Sequence, residues 1–114
     1  MTKYQINVVE HALIISFAGN LMSKDWLPEL IDELDIYVEE GINLFVVNVA
    51  ELRHINSTGL SVLLTLLTKA RNSGGELILA NIPKHLNKLL IITKLNSIFT
   101  IVDSVEEGIN ALVV

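Results

Sequence analysis

Hydroxyl and amide side chains cluster in one short segment, R-H-I-N-S-T-G-L, at residues 53–60. An apolar run that is typical of a buried strand precedes this segment, and a long apolar helical pattern follows it. We predict Ser57 as the N-cap of that helix, with its hydroxyl accepting a hydrogen bond from the N–H of Leu60 or a neighbour. Such a serine either only caps the helix or presents a hydroxyl at the sheet edge where ligands and partners bind.

Other catalytic or metal-binding patterns are absent from the sequence. His11, His54 and His85 are far apart, H-E-x-x-H spacing does not occur, and cysteine is missing. Ser57 is not part of a G-x-S-x-G turn, because Ile55 and Asn56 precede it. The sequence therefore predicts no catalytic residues, no metal site and no cofactor, and it favours a binding protein over an enzyme.

Charge is distributed unevenly along a chain whose net charge is −5. Residues 25–40 hold seven acids and no base, whereas residues 53–94 hold six bases and one acid. An acidic chain disfavours nucleic acid as a partner. The two runs are either solvated helix faces or a polarised surface that orients a protein partner.

Length and composition predict one globular unit. The chain has 114 residues, of which 51% are hydrophobic, and that is enough to build a core without disulfides. No apolar run is long enough to cross a bilayer, and the first residues do not resemble a secretory signal. We therefore expect a cytoplasmic protein without direct membrane insertion.

Hydrophobic periodicity predicts the element order β-β-α-β-α-β-α-β-α, an α/β fold with a mixed sheet of four or five strands. An N-terminal hairpin is followed by parallel strands that alternate with about four helices. The predicted strands cover residues 4–9, 13–18, 44–49, 77–80 and 98–102. The predicted helices cover residues 27–38, 57–73 and 83–93, and a last one starts at a capping box, S-x-x-E, at residue 104 and runs to the C-terminus.

Two motifs resemble the STAS domain family, which is named after sulphate transporters and bacterial anti-sigma factor antagonists. They are I-N-S-T-G-L at residues 55–60 and G-G-E-L at residues 74–77. The likeness covers nearly the whole chain, so residues 1–114 are expected to form a single STAS domain. The element order and lengths look like those of a stand-alone antagonist.

This resemblance implies a partner-switching mechanism. The unphosphorylated antagonist binds an anti-sigma factor, which is a serine kinase of the histidine-kinase-like ATPase fold, and thereby frees a sigma factor. Phosphorylation of the motif serine releases the antagonist, and a PP2C-type phosphatase resets it. Carried over, that serine is Ser57, and Thr58 is the adjacent alternative. The expected partner-binding residues are Met22, Ser23, Trp26, Ile55, Asn56, Ser57, Thr58 and Gly59.

The sequence departs from the family pattern at three positions that are often acidic, which here hold Met22, Asn48 and Asn56. We expect all three to lie near one pole of the domain. Trp26 has a second interpretation, in which it starts the first helix and covers the edge of the core. Two alternative functions keep the fold: an accessory subunit of a membrane transporter, and a non-phosphorylated scaffold of a sensory complex.

Overall fold

The computed structural model describes residues 2–111, without the side chain of Thr2, as one mixed sheet with helices on both faces. No helix among these residues is long and apolar enough to cross a membrane. The strands are β1 (Thr2–Val9), β2 (Ala12–Leu21), β3 (Leu44–Ile55), β4 (Glu76–Ala80) and β5 (Thr100–Val102). The helices are α1 (Leu27–Glu39), α2 (Ser57–Asn72), α3 (Lys84–Ile92) and α4 (Val105–Asn110), with a short 3-10 turn over Leu95–Ser97.

The five strands lie in the sheet in chain order, β1-β2-β3-β4-β5. The first two strands pair antiparallel, and every later neighbour pairs parallel. This confirms the predicted fold class, including the hairpin and the element order. Parallel neighbours require crossover helices, and right-handed crossovers place α1, α2 and α3 side by side on one face of the sheet.

The two faces of the sheet carry cores of different size. The larger core joins inward residues of the strands, such as Phe17 and Phe45, to buried leucines of α1, α2 and α3. The smaller core, on the opposite face, includes Val46 and Ile78 and is covered by Ile109 of α4. Alternation along each strand separates the two sets, as a sheet covered on both faces requires.

Two strands extend well beyond their predicted ends. Gly19 predicts that β2 ends at residue 18, and the apolar run predicts that β3 ends at residue 49. Both predictions are wrong, because the two strands stay paired up to Leu21 and Ile55. Two register irregularities, one on each side of residues 18–19, let the pairing continue, and Gly19 has a positive φ of 81°. The local glycine signal is overridden by long-range pairing.

The predicted N-cap of the last helix is confirmed, but the return bond of the predicted capping box comes from the residue before the cap. Ser104 is the N-cap of α4, and its hydroxyl accepts from the N–H of Glu107 at 3.1 Å. The Glu107 carboxylate accepts from the N–H of Asp103 at 3.2 Å. The expected continuation of this helix to the C-terminus is wrong at Ala111, because α4 ends at Asn110, and the rest of it falls on residues 112–114, which lie outside the described residues.

Candidate functional site

The first turn of α2 is capped by Asn56, so the prediction that Ser57 is the N-cap is wrong. Asn56 has an extended backbone, and its side-chain oxygen accepts from the N–H of Gly59 at 3.0 Å. Its carbonyl accepts from the N–H of Leu60, also at 3.0 Å. Asparagine is at least as good a cap as serine. Because β3 runs up to Ile55 and α2 begins at Ser57, Asn56 is the single residue between strand and helix.

Ser57 therefore occupies the first helical position, and its hydroxyl does not cap the helix. The residue is exposed, and within residues 2–111 its hydroxyl makes no hydrogen bond. No acidic residue lies in the first turn of α2. The first N–H groups of a helix lack intrahelical partners and carry a positive partial charge, so this position favours an anion.

Gly59 holds the start of α2 against the end of β2. It is buried, and a Cβ placed on it would overlap the backbone carbonyl oxygen of Leu21 and lie 2.6 Å from Cγ1 of Ile55. Only glycine permits this approach of helix to strand. Gly59 thus positions the first turn of α2, and it presents no side chain to a partner.

The loop that follows β2 is tied to the same junction. The Asn56 amide nitrogen reaches the carbonyl of Met22 at 3.5 Å, while Leu21 pairs with Ile55 in the sheet. Met22 and Ser23 are exposed. We call the exposed and half-buried members of this junction the Ser57 surface. Its members are Met22, Ser23, Ile55, Asn56, Ser57 and Thr58.

Trp26, a further expected partner residue, packs toward the hairpin. Its ring lies 5.7 Å from the rings of both Tyr4 and Phe17, measured between centroids, and the residue is half-buried. Its indole nitrogen is buried and has no hydrogen-bond partner among residues 2–111. These contacts favour the second interpretation of Trp26, a cover for the edge of the core.

Tyr4, beside Trp26, is the one described group with a resolved pKa shift. Burial raises the pKa of its phenol, and its hydrogen bond to Glu33 at 3.1 Å raises it further. The negative charges of Glu33 and Glu29 act in the same direction, because they disfavour the phenolate. This patch therefore ties β1 to α1 through a neutral tyrosine.

Asn48 lies away from the Ser57 surface, so the expectation that it shares a pole with Met22 and Asn56 is wrong. It follows Leu44 and Val46 on the face of the sheet that α4 covers, opposite to α2. Its side-chain oxygen accepts from Asn81 at 3.1 Å and from the N–H of Ala50 at 3.2 Å. Because β3 continues for seven more residues, Asn48 and Ile55 are roughly 20 Å apart along the strand.

Sequence reasoning missed the contact of the Leu21 backbone with Gly59 and the last residues of β3. Arg53 and His54 are exposed members of that strand and lead directly into the Ser57 surface. The available signal was Gly59, since a glycine in the first turn of an otherwise apolar helix indicates a close backbone approach. Within residues 2–111 no group of three or more histidine or acidic side chains could hold a metal ion.

Comparison with known proteins places the fold and the motif in one family. The family model of the STAS domain matches residues 3–108. The chain belongs to the STAS domain family. This confirms the resemblance that residues 55–60 and 74–77 suggested.

Relatives of this STAS domain carry names from sigma-factor regulation. BtrV of Bordetella bronchiseptica, described as a candidate anti-sigma factor antagonist, is 29% identical over 91% of this chain and 89% of its own length. The crystal structure of a candidate anti-sigma factor antagonist from Thermotoga maritima is similar with a TM-score of 0.82 and 20% identity, over 96% of this chain and 93% of that one.

The anti-sigma factor antagonist SpoIIAA has a similar fold in its unphosphorylated and in its phosphorylated form. The unphosphorylated form has a TM-score of 0.70 at 17% identity and covers 96% of each chain. The phosphorylated form, from Bacillus, has a TM-score of 0.72 at 18% identity, over 96% of this chain and 99% of that one. Both forms of SpoIIAA thus share the fold of this STAS domain.

Proposed function

We propose that this STAS domain is a cytoplasmic anti-sigma factor antagonist, a binding module without catalytic activity, that is switched by phosphorylation of Ser57. The observation that carries the proposal is that Ser57 is an exposed residue at the start of α2 whose hydroxyl makes no hydrogen bond within residues 2–111. The names of BtrV and SpoIIAA support the functional class. The partner is an anti-sigma factor kinase of the histidine-kinase-like ATPase fold, and a PP2C-type phosphatase reverses the modification.

A phosphate at this position is compatible with the fold. It adds roughly two negative charges, and the positive end of the α2 dipole stabilises a negative charge there. Lys69 and Arg71 lie in the last turn, so the opposite end of the helix is already complemented. Modification of Ser57 is therefore expected to leave the domain folded.

The effect of the phosphate falls on the interface instead. A hundredfold loss of affinity corresponds to about 2.7 kcal/mol. Burying a partly unpaired dianion against a docked protein costs several kcal/mol. The interface penalty exceeds the stabilisation at the helix start, so one phosphate on Ser57 releases the partner without unfolding the antagonist.

A second candidate function follows from Asn56. The cap beside Ser57 is a neutral amide rather than the acid that antagonists often carry, and the first turn of α2 holds no acid. If a kinase needs that acid, the same surface serves an accessory subunit of a membrane transporter or a scaffold of a sensory complex. In that case the partner binds whether or not Ser57 carries a hydroxyl.

One experiment separates these functions. The protein is incubated with its cognate anti-sigma factor kinase and ATP, and the phosphate is located by mass spectrometry. We expect labelling at Ser57, its loss in S57A with binding retained, and weaker binding by S57D. The matched controls are S97A and S97D, because Ser97 is an exposed serine in the turn Leu95–Ser97, outside α2 and the Ser57 surface.

The outcomes are distinct. Labelling of Thr58 moves the switch by one residue, whereas labelling elsewhere, or full binding by S57D, contradicts the proposed switch. Co-purification with a transporter ATPase that S57A and S57D leave unchanged supports the second candidate.

A further inference from the structure

The outer surface formed by α1, α2 and α3, which we call the helical layer, is polarised. All three helices contribute to the same core, so they cover the same face of the sheet. The ion pair between Lys69 and Asp35 joins α1 to α2, and a hydrogen bond of 3.2 Å from Arg71 to the carbonyl of Ile98 joins α2 to the segment after α3. Across this layer the exposed charges change from acidic to neutral to basic.

The acidic flank is the outward side of α1. Leu30 and Leu34 face the core, so the opposite side of the helix faces solvent. Ile36 lies on that side and is 58% exposed. The exposed acids around it on α1 and at its C-terminal end are Glu29, Asp32, Glu33, Glu39 and Glu40.

The basic flank is the outward side of α3. Leu86 and Leu90 face the core. The opposite side carries Ile91, which is 53% exposed, and Ile92, which is 76% exposed. Three exposed lysines accompany them: Lys84, Lys88 and, just after the helix, Lys94.

The centre of the layer, the outward side of α2, is uncharged apart from bases that are already paired. Ser61, Thr65 and Thr68 are exposed there, and both threonines bond to their own helix backbone. Lys69 is paired with Asp35 on α1, and Arg71 with Glu76 at 3.1 Å. Within residues 2–111 the remaining acids of α1 and the lysines of α3 form no ion pair.

An acidic–neutral–basic order is self-complementary under a two-fold axis through its centre. We infer that the helical layer is the interface of a homodimer, in which α1 of each copy faces α3 of the other and the two α2 helices meet in the middle. Both charged contacts are then made twice, as an isologous interface requires. The exposed isoleucines Ile36, Ile91 and Ile92 supply apolar contact within the charged flanks.

The size of the helical layer, and the presence of an acidic and a basic flank on the same face, favour a second copy of this chain as the partner that binds there. A stable interface buries about 800 Å² per partner, roughly an eighth of this chain's 6278 Å², and three helices can supply that area. An anionic membrane would attract α3, but it would repel the acids of α1 on the same face. This inference is independent of the proposed function.

The test measures the mass of the full chain by sedimentation equilibrium as a function of concentration and salt. We expect twice the chain mass of 12.6 kDa at about 100 µM, and weaker association at high salt. Reversing one flank places like charges opposite each other twice. We therefore expect the dissociation constant of the dimer to rise at least about a hundredfold in K84E/K88E, and likewise in E29K/D32K.

Mixing the two variants decides the geometry. Each variant repels itself, but the reversed flank of one complements the unaltered flank of the other, so an equimolar mixture is expected to form heterodimers. A single chain with all four substitutions is expected to regain self-association. The control variant K3E/E106K changes the same kinds of charge on exposed residues away from the helical layer, and its mass is expected to match the unaltered chain.

Four results would overturn the inference. They are a monomeric chain at about 1 mM, dimers unaffected by either charge reversal, no heterodimers on mixing the two variants, or assemblies of more than two chains. Binding of the monomer to phosphatidylglycerol vesicles would assign the basic flank to a membrane instead. Should a reversal variant fail to fold by circular dichroism, I92A replaces it. Ile92 is mostly exposed, so its truncation is expected to weaken the dimer without affecting the core.

Discussion

The backbone carbonyl of Leu21 lies directly against Gly59, where the end of β2 supports the first turn of α2. This contact fixes the position of Ser57, two residues earlier in the chain, relative to the loop that begins at Met22. The cap from Asn56 and its amide contact with the Met22 carbonyl reinforce the same junction. The end of β2 and the cap from Asn56 therefore hold the start of α2, and with it Ser57, in place.

We expect G59A to destabilise the domain by about 2 kcal/mol. The added methyl group overlaps backbone atoms of β2, and the penalty for overpacking exceeds the better helix propensity of alanine. Urea denaturation measures the free energy of unfolding, and S61A on the exposed side of α2 is the control. Unchanged stability of G59A would show that α2 does not approach β2 this closely.

Asn56 allows the cap and the charge to be separated. N56A removes the acceptor for the Gly59 N–H, so we expect a loss of about 1 kcal/mol. N56D keeps the acceptor and adds a negative charge at the helix start, but it loses the amide contact with the Met22 carbonyl, so its stability should exceed that of N56A. Equal denaturation midpoints for N56A and N56D would contradict the capping role.

A negative charge is expected to have opposite effects at the two ends of α2. S57D places it at the positive end of the helix dipole and should stabilise by about 0.5 kcal/mol. N72D places it on another exposed residue, at the negative end, and should destabilise by a similar amount. Thermal melts at low ionic strength compare the two. If S57D proved the less stable variant, the start of α2 would not tolerate a phosphate.

The phenol of Tyr4 should ionise above its ordinary pKa of 10.0, because burial and the carboxylates of Glu33 and Glu29 favour its neutral form. The raised pKa means that the unfolded chain loses this proton first, so the stability contributed by Tyr4 falls as the pH rises above about 10. Absorbance titration of tyrosinate measures the shift, and Y4F isolates the signal of Tyr4. E33Q should lower the pKa toward its ordinary value, and an unchanged pKa in E33Q would contradict the contribution of Glu33 beside that of burial.

The sequence was sufficient for the architecture because hydrophobic periodicity and glycine signals act locally. The alternation in β1, the apolar stripe of α2 and the S-x-x-E cap at Ser104 each identified an element of the correct type. Residues 55–60 and 74–77 supplied the family.

The local signals failed where pairing between distant strands decides the backbone. Gly19 indicates a break, but hydrogen bonding between β2 and β3 carries both strands past it to Leu21 and Ile55. This extension leaves Asn56 as the single residue between β3 and α2, and Asn56 caps the helix. It also carried the start of α2 away from Asn48, so the three positions that are often acidic did not come together.

The central claim is that a phosphate on Ser57 acts at the interface and leaves the fold intact. The most direct measurement is the affinity of the anti-sigma factor for this chain before and after stoichiometric phosphorylation, by isothermal titration calorimetry, with a melting curve of each form. We predict a loss of affinity of about a hundredfold and a melting temperature that does not fall. Equal affinity of the two forms, or release that occurs only because the phosphorylated chain unfolds, would contradict the account.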